Sequence, residues 1–228
     1  MIRDIFLDVD DTILDFGRAE REALASALSQ MGVEVNEEAL RCYHEVNLAH
    51  WKMLERGEIT RERLLVRRFE EFYRRIGVNA DAERTQRIYE YELGCRSYYL
   101  AGAEELLAAL MQGGYRIYLA SNGTTVVQSP RIKASGLDRI CHGIFLSEAI
   151  GCDKPQKAFF DACFTSIENF VPENAIILGD SLSSDIAGGR NAGIKTCWFN
   201  PKKLPLTGDV IPDYEISELS EFLEILKA

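Results

Sequence analysis

Two periodicities of apolar residues divide this chain. It opens with an apolar run, Ile5 to Leu7, that reads as the centre of a buried strand over residues 2–9. From about Gly17 to Cys95 the spacing is helical instead. Leu24, Leu28 and Met31 recur on one face, and Gly32 stops that helix. Asn36 is placed to cap a second helix, with Glu37 and Glu38 in its first turn, that carries Leu40, Tyr43 and Val46 towards Leu54. Thr60 caps a third, bearing Leu64, Leu65, Phe69, Phe72 and Ile76, and a fourth covers 82–95. No strand pattern interrupts this block.

Beyond Tyr98 strand and helix patterns alternate. Ala103, Leu106, Leu107, Leu110 and Met111 mark an amphipathic helix ended by Gly113-Gly114. Strands are expected at 115–120, 143–146, 175–178, 196–199 and 214–216. Helices are expected between them: one to about Ser135 that Pro130 delays or kinks, one opened by Pro155, one ending at Gly193, and a last one capped by Ser217. Short connections between alternating elements predict an α/β fold with a doubly wound parallel sheet and helices on both faces. The helical block is an insertion: residues 1–15 and 98–228 make the sheet domain, and 16–97 the helical one. The one irregular stretch of note is 201–212.

Composition narrows the partners. With 228 residues, 46% hydrophobic and 27% charged, the chain can form one good core and a smaller lobe. A net charge of -10 disfavours nucleic acid and anionic membranes. No apolar run is long enough to span a bilayer, no signal peptide is expected, and the six cysteines lack metal-ligand or disulfide spacing. A cytoplasmic protein, monomeric or a small homo-oligomer, is the expectation.

The chemistry lies at the strand ends. Asp8 and Asp10 follow the first strand, Ser121 and Asn122 the second, Lys154 the third, and Asp180 and Asp185 the fourth. In a parallel sheet all these ends open on one edge, so the groups converge. Asp8 and Asp10, two apart, share a face. One carboxylate can attack phosphorus; the other can protonate the leaving oxygen and then take a proton from water. Asp180 adds oxygen for a hard cation such as Mg²⁺, held with Asp8 and Asp10, and Asp185 orients that shell. Lys154 sets a compact positive charge beside the nucleophile. The Ser121 hydroxyl and the backbone N–H groups of Asn122 and Gly123 can hold phosphoryl oxygens. Singly, each residue has a plainer role: Asp10 or Asp11 capping a turn, Ser121 capping a helix, Lys154 solvated in a loop. Their order along one sheet edge is what points to phosphoryl transfer.

Asp8-Val9-Asp10-Asp11-Thr12, Ser121-Asn122-Gly123, Lys154-Pro155 and Gly179-Asp180 with Asp185 resemble the four signature motifs of the haloacid dehalogenase-like hydrolases. The resemblance implies a Rossmann-like core, Mg²⁺, Asp8 as nucleophile, Asp10 as acid and base, and the helical block as a cap domain. Dehalogenases of that superfamily lack the second aspartate, so Asp10 argues for phosphate chemistry.

A narrower resemblance, to pyrimidine 5′-nucleotidases, rests on Val46-Asn47 with Trp51, Gly57-Glu58-Ile59-Thr60, Arg68-Phe69 and the run from Ser184 to Pro201. It implies a phosphate ester substrate, a nucleoside monophosphate. Asn47, His50 and Trp51 share a helix face on which a base could stack and hydrogen-bond, and Phe16 is near enough to the catalytic loop to touch the leaving group. The same face also suits packing, with Trp51 in the helical core. A sugar-phosphate or phosphoglycolate-type phosphatase, a phosphomutase and an inactive binding protein remain alternatives. A phospho-acceptor signalling domain is disfavoured by the position of Asp8 on the first strand.

Overall fold

In the computed structural model, which describes residues 1–206 and 208–227, six parallel strands form one sheet. Thr207, within the irregular stretch, and Ala228, the last residue of the expected sheet domain, lie outside the described residues. The strands are β1 (Asp4–Leu7), β2 (Arg116–Ser121), β3 (Gly143–Leu146), β4 (Ala175–Gly179), β5 (Lys195–Phe199) and β6 (Tyr214–Ile216). Their order is β3-β2-β1-β4-β5-β6. Leu7 is in register with both Leu119 of β2 and Leu178 of β4. The order reverses at β1, so the chain just beyond Leu7 enters the crevice where such sheets bind ligands.

Alternation along the strands separates two cores. Ile5, Leu7, Ile117, Leu119, Ile176 and Leu178 face one side, packing with Leu106, Leu110, Ile132 and Phe222. Phe6, Tyr118, Ala120 and Ile177 face the other, against Phe159, Phe160 and Cys163.

The chain forms two compact units, residues 1–16 with 97–228, and 17–96. The helices of the second are α1 (Phe16–Gln30, whose first residue belongs to the sheet unit), α2 (Glu37–Glu55), α3 (Arg61–Ile76) and α4 (Ala82–Gly94). Asn36 and Thr60 cap α2 and α3 as expected, accepting from the Ala39 and Arg63 N–H groups. Asp81 caps α4. None of the described residues of this unit is in a strand.

The sheet unit carries α5 (Ala103–Gln112), α6 (Thr125–Ser135), α7 (Ser147–Ile150), α8 (Lys157–Thr165), α9 (Ala187–Ala192) and α10 (Glu221–Lys227). The helix α6 runs through Pro130 without a break. The expected start of α8 at Pro155 is corrected to Lys157. Pro155 follows a cis peptide bond, and the Gln156 N–H closes a turn on the Asp153 carbonyl first. The helix expected before Gly193 begins as a π-helical turn, Leu182–Ile186, and becomes α only at Ala187. At α10 the expected Ser217 cap is replaced by the Glu221 carboxylate, which accepts from the Ser217 and Glu218 N–H groups.

Candidate active site

Asp8 stands one residue past β1, held by its N–H to the Leu178 carbonyl at 2.9 Å. The chain then turns sharply. Ile13 and Leu14 both donate to the Val9 carbonyl, and Asp11 takes a positive φ of 56°, a conformation aspartate tolerates better than most residues. The Asp11 carboxylate accepts from the Phe16 N–H, opening α1. Of the two candidates for a turn-capping role, Asp11 fills it.

Lys154 is the hub of the site. It is 1% exposed, and its ammonium donates to Asp8 Oδ1, Asp185 Oδ1 and the Ala120 carbonyl, each at 2.6 Å. Three acceptors satisfy all three of its protons. Burial alone would push its pKa down, but Asp185 and Asp8 together outweigh that and raise it, so the ammonium stays charged. The loop bearing it is tied to the loop after β2 by a reciprocal pair. Asn122 Nδ2 donates to the Lys154 carbonyl, and the Lys154 N–H donates to Asn122 Oδ1, both at 2.9 Å. The Asn122 side chain is thus a brace between loops, which fixes the loop whose backbone N–H was expected to meet phosphate.

Asp185 gives its other oxygen to the Ser181 N–H at 3.1 Å. It fits beneath β4 only because residue 179 is glycine: a Cβ there would lie 2.3 Å from the Asp185 Cγ. Asp180 follows directly. Carboxylate oxygens of Asp8, Asp180 and Asp185 all lie within 4.8 Å of one another. Burial pushes Asp8 up to about 7 against the pull of Lys154, with Asp185 and Asp10 adding to the rise. Burial and the charges of Asp8 and Asp185 raise Asp180 well above the carboxylate range. Three clustered carboxylates with one ammonium are short of positive charge, and an all-oxygen donor set suits a hard divalent cation.

Asp10 is not in that group. Its Oδ1 accepts from Arg131 Nη1 at 2.5 Å and its Oδ2 from Gln128 Nε2 at 2.7 Å, both on α6. Its side chain is therefore directed at α6, not at the three clustered carboxylates with which it was expected to hold a cation. Gln128 also donates to the Ser121 hydroxyl at 2.8 Å, as does the Gly123 N–H at 3.0 Å. Both lone pairs of Ser121 Oγ are thereby engaged, so this hydroxyl acts as a donor, the role an anionic oxygen requires. The Gly123 N–H, expected to hold phosphoryl oxygen, serves Ser121 instead. Neither Gln128 nor Arg131 emerged from the sequence. The available signal was their spacing of three on the helix that follows Ser121, which sets both on one face.

In the helical unit, Asn47 and His50 are buried. Asn47 Nδ2 donates to Glu20 Oε1 at 2.7 Å, and Arg68 Nη1 donates to Asn47 Oδ1 at 2.6 Å. Arg68 also donates to Gln86 and lies over the Tyr89 ring. His50 Nδ1 bonds the Val46 carbonyl at 2.8 Å. These two candidate substrate residues are interior to their own unit and hydrogen-bonded there. Trp51 is half-buried, with the Arg61 guanidinium 5.6 Å from its ring centre. Phe16, in the sheet unit, has the Arg131 guanidinium 5.8 Å from its ring.

A buried lysine clamped between strand-end carboxylates, on a parallel sheet at its topological switch, defines a hydrolase of phosphoric monoesters. Residues 5–199 match the haloacid dehalogenase-like hydrolases, and the chain belongs to that family. It is 34% identical over 222 residues to PynA of Streptococcus pneumoniae, a pyrimidine 5′-nucleotidase, covering 97% of this chain and 94% of that one. YjjG of Escherichia coli, also a pyrimidine 5′-nucleotidase, is 30% identical, covering 97% and 96%. The crystal structure of the HAD-family YfnB from Bacillus subtilis bound to magnesium superposes with a TM-score of 0.95 at 35% identity, covering 100% of this chain and 99% of that one.

Proposed function

We propose that this enzyme is a Mg²⁺-dependent phosphatase of nucleoside 5′-monophosphates that works through an aspartyl phosphate on Asp8. The observation that carries this is the three-way seat of the Lys154 ammonium, which fixes Asp8 beside two further carboxylates while cancelling part of their charge. Similarity to two pyrimidine 5′-nucleotidases supports the substrate class. The free thiols of all six cysteines suit a reducing compartment, and the cytoplasm is the proposed location.

Asp8 attacks phosphorus, the P–O bond to the sugar breaks, and a proton passes from Asp10 to the leaving oxygen. Water then attacks the aspartyl phosphate and gives its proton to Asp10, releasing inorganic phosphate and restoring the Asp8 carboxylate and the protonated Asp10 carboxyl. Ser121 donates to a phosphoryl oxygen throughout. Asp8 and Asp180 would hold Mg²⁺, with Asp185 orienting them. When bound, the cation supplies positive charge that offsets the carboxylates and the phosphoryl group.

The test is phosphate release from UMP, dUMP, TMP, CMP, AMP, GMP, phosphoglycolate and glucose 6-phosphate, with Mg²⁺ and with a chelator. Chelator-sensitive preference for the pyrimidine monophosphates is expected. Preference for phosphoglycolate or the sugar phosphate would overturn the substrate assignment. Asp8→Asn is expected to abolish turnover while preserving the far-UV circular dichroism spectrum, and turnover in that variant would remove the covalent step.

A further inference from the structure

Helix α6 carries a charged and an amide side chain with no exposure to solvent at all. Gln128 and Arg131 are each 0% exposed, on a helix whose other buried residues in that turn and the next are Val127 and Ile132. A guanidinium taken wholly out of water is costly unless paired. Arg131 Nη1 donates both to Asp10 Oδ1 at 2.5 Å and to Gln128 Oε1 at 2.7 Å. Receiving that donor fixes the amide of Gln128, because its oxygen must face Arg131 and its nitrogen must face away. That nitrogen then donates to Asp10 Oδ2 and to Ser121 Oγ. Each oxygen of Asp10 is thus met by one donor, and the carboxylate plane has one orientation.

From this geometry we infer that Gln128 and Arg131 are positioning residues for the reaction: a buried clamp that holds the Asp10 carboxylate and the Ser121 hydroxyl in register with each other. The inference rests on the reading of Asp10 as the proton donor to the leaving group. The clamp couples two events the reaction needs at one moment, a proton at the leaving oxygen and a hydrogen bond at the phosphoryl oxygen. Gln128 touches both groups, so its loss frees the Asp10 carboxylate while the Gly123 N–H still holds Ser121; Arg131 locks Gln128 and Asp10, so its loss frees Asp10 as well. Gly123 belongs to the same device. A Cβ there would meet the Gln128 side chain at 2.6 Å, so the loop must be bare for the amide to reach Ser121.

A merely structural pair would affect all substrates alike, whereas a pair that positions the acid acts according to the leaving group. UMP expels an alkoxide that needs its proton, while p-nitrophenyl phosphate expels a stable phenolate that does not. In Gln128→Leu, kcat/KM for UMP is expected to fall about 10²-fold, against less than about fivefold for p-nitrophenyl phosphate. Arg131→Met should show the same split, and Arg131→Lys should regain about tenfold of the UMP loss by restoring one donor to Asp10. Equal losses on both esters, or none on either, would overturn the clamp. Asp10→Asn on the same two esters separates the underlying reading: without a leaving-group split there, the role of Asp10 falls first. The crystal structure of Gln128→Leu judges the clamp independently of activity, and of whether Arg131→Met folds. A rotated Asp10 carboxylate supports it; an Asp10 unmoved from its present orientation refutes it.

Discussion

Asn47 and Trp51 lie four residues apart on α2, and the structure separates their roles. Asn47 bridges the buried Glu20 carboxylate and the buried Arg68 guanidinium, so Asn47→Ala strips one hydrogen bond from each charged group. At about 1.5 kcal/mol or more for each bond to a charge, the loss is expected to be about 3 kcal/mol, measured by urea denaturation, with KM for UMP unchanged in the folded fraction. Trp51, half-buried, is free of any such duty to the interior. Trp51→Ala is expected to raise KM for UMP and to spare p-nitrophenyl phosphate, and an equal effect on both would deny it a part in base recognition. The sequence could not make this distinction, because a helix face at i, i+3 and i+4 is drawn alike for packing and for binding. The strand-end residues were legible for the opposite reason. Asp8, Lys154, Asp180 and Asp185 are charged groups at the ends of apolar runs, where charge has little reason to be unless it is used. Gln128 and Arg131 gave no such contrast, since polar residues on a helix are ordinary until the helix is known to bury that face.

At the scale of elements, two of the boundaries that moved, the start of α8 and the turn after β4, lie next to the site. Strands and the first four helices follow from periodicity and caps, as with Asn36 on α2 and Thr60 on α3. The turn after β4 does not: it winds as a π-helix over Leu182–Ile186, because Asp185 must fold back towards Lys154 while its second oxygen caps the Ser181 N–H. Gly179 makes this turn possible. Gly179→Ala sets a methyl group 2.4 Å from Asp185 Oδ2, against backbone packed on both sides by β1 and β5. Asp185 must yield, and with it one of the three acceptors of Lys154. A drop in kcat of about 10²-fold or more is expected, with a cost in thermal stability, and wild-type turnover in this variant would mean that Asp185 can be displaced without consequence.

For the molecule as a whole, the acidic cluster ties stability to pH and, at the proposed Mg²⁺ site, to metal. In the metal-free protein Asp8 is raised from 3.8 to about 7 by burial. A carboxyl with a raised folded pKa favours folding most below its unfolded pKa, and that contribution is lost as pH rises through 7. Near pH 8 the folded chain therefore holds an ionised Asp8 at a cost, which a divalent cation bound at the proposed site would relieve. Mg²⁺ is expected to raise Tm more at about pH 8 than at about pH 5.5, by calorimetry, with a gain of about 2.7 kcal/mol at a hundredfold excess over Kd. A Mg²⁺ effect independent of pH would argue that the cation binds away from Asp8. The fold class was readable from the alternation of strand and helix patterns; the units themselves divide between residues 16 and 17 and between 96 and 97, where the sequence reading divides between 15 and 16 and between 97 and 98. What the periodicity lacked was strand order, which depends on pairings between segments far apart in the chain.

That order has a consequence for the chain while it is being made. β1 is made before both of its neighbours in the sheet, which lie far downstream, with Asp4 opposite Arg116 on one side and Ala175 on the other. The helical unit is compact within residues 17–96, all of which are made before either neighbour of β1. The first strand gains one neighbour only when Arg116–Ser121 has been made and the other only when Ala175–Gly179 has, so its second edge waits longest. Asp8 has no Lys154 to hold it until residue 154 is made, so a product cut short before that point carries the first strand's carboxylates without the ammonium that seats them.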